Sequence, residues 1–194
     1  MSKNVLWLTL IFVAAIVGAF MGPSLARILS PETLLILSVL LIGGIVIFCF
    51  WALSSNKSGA RADTAAIADA RTMQAPAGKA RIYVTRRGFV AALQGMDVTL
   101  DGSAKGQIKS GQMLVADVAP GIHHLHVATA KAKLATAAEI EIDVGAGGVV
   151  VIGAMIEMGA LKGGVKLTRL DAAKAREDVH ATKLLLWEVP PATA

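Results

Sequence analysis

Two uncharged apolar runs near the start of the chain constrain its fold more than any other feature. Residues 5–21 read VLWLTLIFVAAIVGAFM, and residues 34–53 read LLILSVLLIGGIVIFCFWAL. A helix rising about 1.5 Å per residue needs about 20 residues to cross a hydrocarbon core about 30 Å thick. The second run is therefore long enough to span, and the first only just. Backbone N–H and C=O groups find no water in lipid, so both runs are expected to be helical. The chain is thus expected to open with a two-helix transmembrane hairpin over residues 1–53, which makes it a multi-pass protein of a bacterial inner (plasma) membrane.

The flanks set a direction. Lys3 precedes the first run, the connector 22–33 carries only Arg27 and Glu32, and Lys57, Arg61, Arg71 and Lys79 follow the second run. Basic residues on the two outer flanks place those flanks, and the domain that follows, in the cytoplasm. A periplasmic domain is the alternative and requires that one run alone spans. Trp7 and Trp51 fall near the same interface of such a hairpin, where indole rings settle, so both are candidate lipid contacts. Ser30-Pro31-Glu32 supplies a cap, a first-turn proline and an acid for the start of the second helix. The rival reading of the first run is a signal peptide cleaved near Ser24-Leu25-Ala26. Ala14, Gly18 and Gly22, with Gly43-Gly44, offer small faces on which helices could pack within the hairpin or between copies in a homo-oligomer.

Residues 54–79 are rich in Ala, Ser and Gly and read as a flexible tether. A short helix over residues 63–73, capped by Asp63, is expected inside it. From residue 80 the pattern alternates with a period of two. Strands are expected over 81–86, 88–93, 97–101, 105–109, 112–118, 122–129, 139–144, 149–156 and 165–170. Asp101-Gly102, Ser110-Gly111, Pro120-Gly121 and the glycines of 145–148 provide the turns. The run 149–156, apolar on both sides, suits a central strand covered twice. Short strands at near-regular spacing imply an all-β antiparallel sandwich over residues 80–171. Residues 172–194 complete the chain with a short helix starting at Asp171, a docking segment at 184–187 and a tail beyond Pro190-Pro191.

The series Ile82-Tyr83-Val84-Thr85-Arg86, Val98-Thr99-Leu100-Asp101-Gly102 and Val118-Ala119-Pro120-Gly121-Ile122-His123 carries a resemblance. Over residues 80–171 it resembles an uncharacterised bacterial, envelope-associated family of small lipoprotein-type domains in the PEGA-like style. The resemblance implies an Ig-like or transthyretin-like sandwich without known catalytic activity. The chain departs from the lipoprotein members in having no lipid-anchor cysteine.

Candidate sites are few. His124 and His126 share one face of an expected strand and could meet a metal or small ligand with Glu139 or Glu141 as a further donor. The plainer reading is two exposed histidines, with His123 buried and hydrogen-bonded on the other face. Arg86-Arg87, at a strand end, could hold a phosphate, a lipid headgroup or a partner, or simply be solvated. The net charge of +5 is spread along the domain, suiting an anionic surface or acidic partner as well as ordinary solvation. Cys49, the single cysteine, lies in the second run, which excludes an intramolecular disulfide and a cysteine zinc site. The glycine loop 145–148 precedes a strand rather than a helix and so lacks the helix N-terminus that a phosphate loop needs. Basic residues without interleaved aromatics argue against nucleic acid. No nucleophile–base pair suggests an enzyme, and no cofactor is expected. These observations together describe a membrane-anchored, non-catalytic accessory or scaffold protein whose sandwich binds a protein partner. The alternative is a ligand- or metal-sensing envelope domain using the His124/His126 face.

Overall fold

The computed structural model describes residues 27–54, 56–57, 59–130, 135–157 and 163–191. It divides into two units, Met1–Trp51 and Ala52–Ala194, each described by itself. The first apolar run and Trp7 lie outside the described residues. The second run forms helix α1, Pro31–Leu53, with Glu32 its only acid and no basic residue in its last turn. Ser30 starts it as expected: the Thr33 N–H donates to Ser30 Oγ at 3.3 Å and the Leu34 N–H to the Ser30 carbonyl at 3.1 Å. Its window Pro31–Phe48 has a mean hydropathy of 2.3, and among the described residues α1 is the one helix long and apolar enough to cross a membrane.

The second unit is built of two sheets. Strands β1 (Ala80–Arg86), β4 (Gln112–Val118), β6 (Ala135–Thr136), β8 (Val149–Glu157), β9 (Gly163–Arg169) and β10 (Lys183–Leu184) form a six-stranded sheet in the order β10-β4-β1-β8-β9-β6. Strands β2 (Met96–Leu100), β3 (Ala104–Ile108), β5 (Gly121–Thr129) and β7 (Ala138–Val144) form a four-stranded sheet in the order β3-β2-β5-β7. Ile82, Val84, Leu114, Val150 and Ile152 of the first sheet join Val98, Leu100, Ile108, Leu125 and Val127 of the second in one buried cluster. Alternation is what places them there: a period of two puts every second side chain of a strand in the core.

Two expectations are corrected. The sandwich is mixed rather than all-antiparallel: β1 runs parallel to β8, β10 to β4 and β6 to β9. Turn residues mark hairpins, which make antiparallel neighbours. The chain passes back and forth between the sheets before β8 reaches β1, and a parallel pair needs such a long crossover. The strand expected over 88–93 is instead a run of turns, with Gly88 at φ 127° and Ala91 at φ 48°. The Asp101-Gly102 turn is as expected: both residues have positive φ, 52° and 68°, the mirror-image geometry that suits a hairpin.

The outer face of β1 is not a solvent face. Helices α2 (Thr64–Thr72) and α3 (Ala172–Ala181) cover it, so every residue of β1 is buried. Both helices start where the sequence says they should, with Asp63 accepting from the Ala66 N–H and Asp171 from the Lys174 N–H. Ala70, Tyr83, Met113, Val151, Ala175 and Val179 make a second buried cluster beneath them. Two polar contacts fasten α2. Tyr83 donates its hydroxyl to the Ala70 carbonyl at 2.7 Å. Arg81, 3% exposed, donates Nε and Nη2 to the Asp117 carboxylate at 2.6 and 2.9 Å and pairs with Asp69 at 2.7 Å. Asp117 is the β4 residue in register with Arg81, so the strand pairing itself aligns the fork with its carboxylate.

The segment expected to be a tether is thus in large part fastened down. Asn56 donates to the Leu93 carbonyl at 2.6 Å and accepts from the Gly95 N–H at 2.7 Å, and the Lys57 N–H donates to Gln107 Oε1 at 2.6 Å. Arg61 bridges Leu185, and α2 follows. Composition suggested a free linker because Ala, Ser and Gly say nothing about distant partners; the side chains of Asn56 and Gln107 supply them.

Removing either carboxylate from Arg81 separates strong from weak pairing. Asp117→Asn leaves a buried guanidinium short of its charged partner and should destabilise the fold by about 2–3 kcal/mol. Asp69→Asn acts on a carboxylate 63% exposed and should cost about 1 kcal/mol or less. Urea unfolding of the full chain in nonionic micelles reads the difference.

Candidate functional site

Strand β5 places its histidines as the alternation predicted. His123 points inward with Leu125 and Val127, while His124 faces outward and His126 is half-buried on that same side. Nδ1 of His123 lies 2.7 Å from Asp101 Oδ2 and Nε2 lies 2.8 Å from the Ala119 carbonyl. Asp101 also accepts from the His124 N–H at 2.9 Å through Oδ1, and its own N–H donates to the His124 carbonyl. The left-handed turn residue therefore clamps the β2–β3 hairpin to β5. Burial is the largest influence on the His123 pKa and lowers it, but the Asp101 hydrogen bond, the Ala119 carbonyl and the Asp101 charge together outweigh it, so the net shift is upward.

The outer face of β5 meets β7 in register, His124 opposite Glu141 and His126 opposite Glu139, with Thr99 of β2 on the other side of His126. These residues line a shallow concavity of ≈ 550 Å³. His126 Nε2 comes no nearer to Glu139 Oε1 than 4.0 Å, and Glu139 is 78% exposed. Cross-strand register thus brings the expected donors side by side, yet among the described residues no three His, Cys, Asp or Glu side chains are grouped to hold a metal ion. Edge strand β7 turns Glu139, Glu141 and Asp143 outward, an acidic row that discourages another strand from pairing there.

Arg86 and Arg87 part company. Arg86 is not at a solvated strand end: it is 2% exposed, and its guanidinium donates to the carbonyls of Gln94, Ala91 (2.6 Å) and Ile108 (3.4 Å). Burial pushes its pKa down to about 10, still well above neutrality, so it stays charged. Among the described residues it forms no ion pair, and the inward-turned carbonyls of loop 87–95 take the place of a carboxylate. Arg87, half a turn of strand later, faces α3 and pairs with Glu177 at 2.6 Å and Asp178 at 3.1 Å. Arg86 is closed to a phosphate in this arrangement, while the part-exposed Arg87 already has two carboxylates beside it. Trp51 sits in the last turn of α1, 6.0 Å from the ring of Phe48.

The sequence pattern gave no hint of what Arg86 organises. Loop 87–95 is held from inside by Arg86, from one flank by Asn56, and from the other by Ser110, whose N–H donates to the Ala92 carbonyl and whose hydroxyl donates to the Gly88 carbonyl. On this fixed backbone Leu93 is 70% exposed and Phe89 67%. The apolar residues of 88–93 suggested a strand; what they form is a braced tip with two large hydrophobic side chains at the surface.

With this geometry in hand, comparison with known proteins adds a family. Its profile, described as protein of unknown function (DUF2846), matches residues 76–165. That stretch is a DUF2846 domain. The DUF2846 match runs from just before β1 into β9 and includes loop 87–95, Arg86 and the β5–β7 face, while α2, α3 and β10 lie outside it. No curated protein matches the chain.

The His123–Asp101 contact makes a pH prediction. A folded-state pKa raised above the unfolded value gives stability that is fully present below about pH 6.5 and is lost as pH rises through the folded value. Between about pH 6 and pH 8 the thermal midpoint of the native chain should therefore fall relative to that of His123→Gln. Parallel curves would show that the pair contributes no pH dependence.

Proposed function

We propose that this chain is a membrane-anchored, non-catalytic accessory or scaffold protein whose DUF2846 domain binds a protein partner through the braced tip of loop 87–95. The observation that carries the reading is the pairing of exposure with a hydrogen-bonded backbone: Leu93 and Phe89 stand out from a loop whose carbonyls are held by Arg86, Asn56 and Ser110. An apolar side chain presented on ordered backbone loses little further entropy on binding, and large side chains of this kind are the usual anchors of an interface.

Helix α1 supports the anchoring half of the proposal by its length, its apolar composition and its outward-facing Leu, Ile and Phe side chains. On this reading it pairs with residues 5–21 in a multi-pass hairpin of the bacterial inner membrane. The flanking basic residues favour the cytoplasmic side for the DUF2846 domain, and a PEGA-like, Ig-like or transthyretin-like envelope module is the setting the sequence resemblance suggests. On this reading His123 serves the fold, with both ring nitrogens engaged by Asp101 and Ala119.

The test has two parts. Carbonate washing should leave the full-length chain in the membrane pellet. Cross-linking in membranes followed by affinity recovery should then capture a partner with the native chain and lose it with Leu93→Asp, a surface change expected to move stability by about 0.5 kcal/mol or less. Equal recovery by the native chain, by Leu93→Asp and by residues 1–53 alone would remove the tip from the mechanism.

A further inference from the structure

A second surface, separate from the braced tip, gathers positive charge. Arg71 at the end of α2, Arg169 at the end of β9 and Arg176 in the middle of α3 line one open cleft of ≈ 510 Å³. Thr72 and Gln74 add polar groups, and part of the wall is the apolar start of β8. The lining contains no aspartate or glutamate.

These three lack the counter-charge that the cations packed between and along the two helices have. Other cations of the helix layer are neutralised: Arg81 by Asp69 and Asp117, Arg87 by Glu177 and Asp178, and Lys174 by the same two acids of α3. Among the described residues Arg71, Arg169 and Arg176 form no ion pair. The nearest acid in sequence to Arg169, Asp171, is taken up by the Lys174 N–H at the start of α3. Helix α3 divides its charges, with Glu177 and Asp178 reaching Arg87 while Arg176 lines the cleft. Placement in the last turn of α2 accounts for Arg71 through the helix dipole. It accounts for neither Arg169 nor Arg176.

Three like charges brought to one open cleft from three separate elements, all exposed, raise the positive potential there and favour an anion. Guanidinium groups present planar forks of N–H donors that match phosphate oxygens two at a time, and the cleft has the size of a small-molecule site. We propose that this cleft binds a phosphate-bearing ligand, held by Arg71, Arg169 and Arg176. All three arginines lie outside residues 76–165, so the site belongs to what this chain adds around the DUF2846 domain. The phosphate could be carried by a soluble ester or by an anionic phospholipid headgroup, and the same chemistry serves both.

The test uses the full chain in nonionic micelles. Inorganic phosphate should raise the thermal midpoint above that seen with chloride at equal ionic strength, and Arg169→Gln/Arg176→Gln should weaken the apparent phosphate affinity by about tenfold or more, with the ligand-free midpoint unchanged. Arg169→Lys/Arg176→Lys keeps the charge and should recover only part of the affinity, because the bidentate fork is gone. A second arm replaces phosphate with phosphatidylglycerol or phosphatidylcholine doped into the micelles. An arginine-dependent shift with phosphatidylglycerol alone assigns the headgroup as the source, and a shift with inorganic phosphate alone assigns a soluble ester. A phosphate effect no larger than chloride's together with no arginine-dependent phosphatidylglycerol effect, or equal shifts in native and glutamine variants, overturns the proposal. Loss of partner capture at Leu93 leaves this result untouched, so the two readings fail separately.

Discussion

Strand β1 is buried on both faces along its whole length, and most of the domain follows from that constraint. Its two faces need different partners. Ile82 and Val84 enter the apolar cluster between the sheets. Arg81, Tyr83 and Thr85 enter the layer beneath α2 and α3, where each polar atom has to meet a partner. The strand therefore fixes the position of a second sheet on one side and of two helices on the other. Arg86, at its end, does the same for a loop. A full side chain of donors in an apolar setting is tolerable only if carbonyls are turned toward it, and loop 87–95 takes the shape that turns them.

Much of the sandwich was legible because its signals are local. Asp101-Gly102, the alternation of β7, the doubly apolar β8 and the caps at Asp63 and Asp171 each state a conformation within a few residues. What escaped reading depends on partners far away in the chain. Alternation showed that Arg81 and Tyr83 share a face, but not that residues 64–72 and 172–181 cover it. The parallel pairing of β1 with β8 is a property of connections, and no residue of either strand announces it. Arg86 beside Arg87 looked like one basic pair. Successive strand residues face opposite ways, and here that sends one guanidinium inward and the other to α3.

The same logic explains which sites could be found. His124 and His126 were singled out by spacing, and register then set each beside a glutamate without assembling a three-donor group among the described residues. The arginine cleft could not be found by spacing, because Arg71, Arg169 and Arg176 belong to three elements whose meeting is a tertiary fact. The useful signal was negative: in the helix layer Asp69, Glu177 and Asp178 are committed to other cations and Asp63 and Asp171 to backbone N–H groups, and among the described residues these three arginines are left without an acid. Charge bookkeeping over the folded surface separates such a site from solvated arginines in a way that a net charge of +5 does not.

Residues 183–189 bind across three separate parts of the domain. Lys183 and Leu184 add to the β4 edge, Leu185 bridges Arg61, Trp187 donates to the Val115 carbonyl at 2.7 Å, and Val189 exchanges bonds with Lys105 on β3. Gly106 is kept bare beneath this crossing, since a Cβ there would stand 2.7 Å from Leu114. A ribosome delivers this stitch after every strand that it seams together. During synthesis the bonds that this segment makes to β3, β4 and Arg61 can therefore form only after all of those partners have emerged.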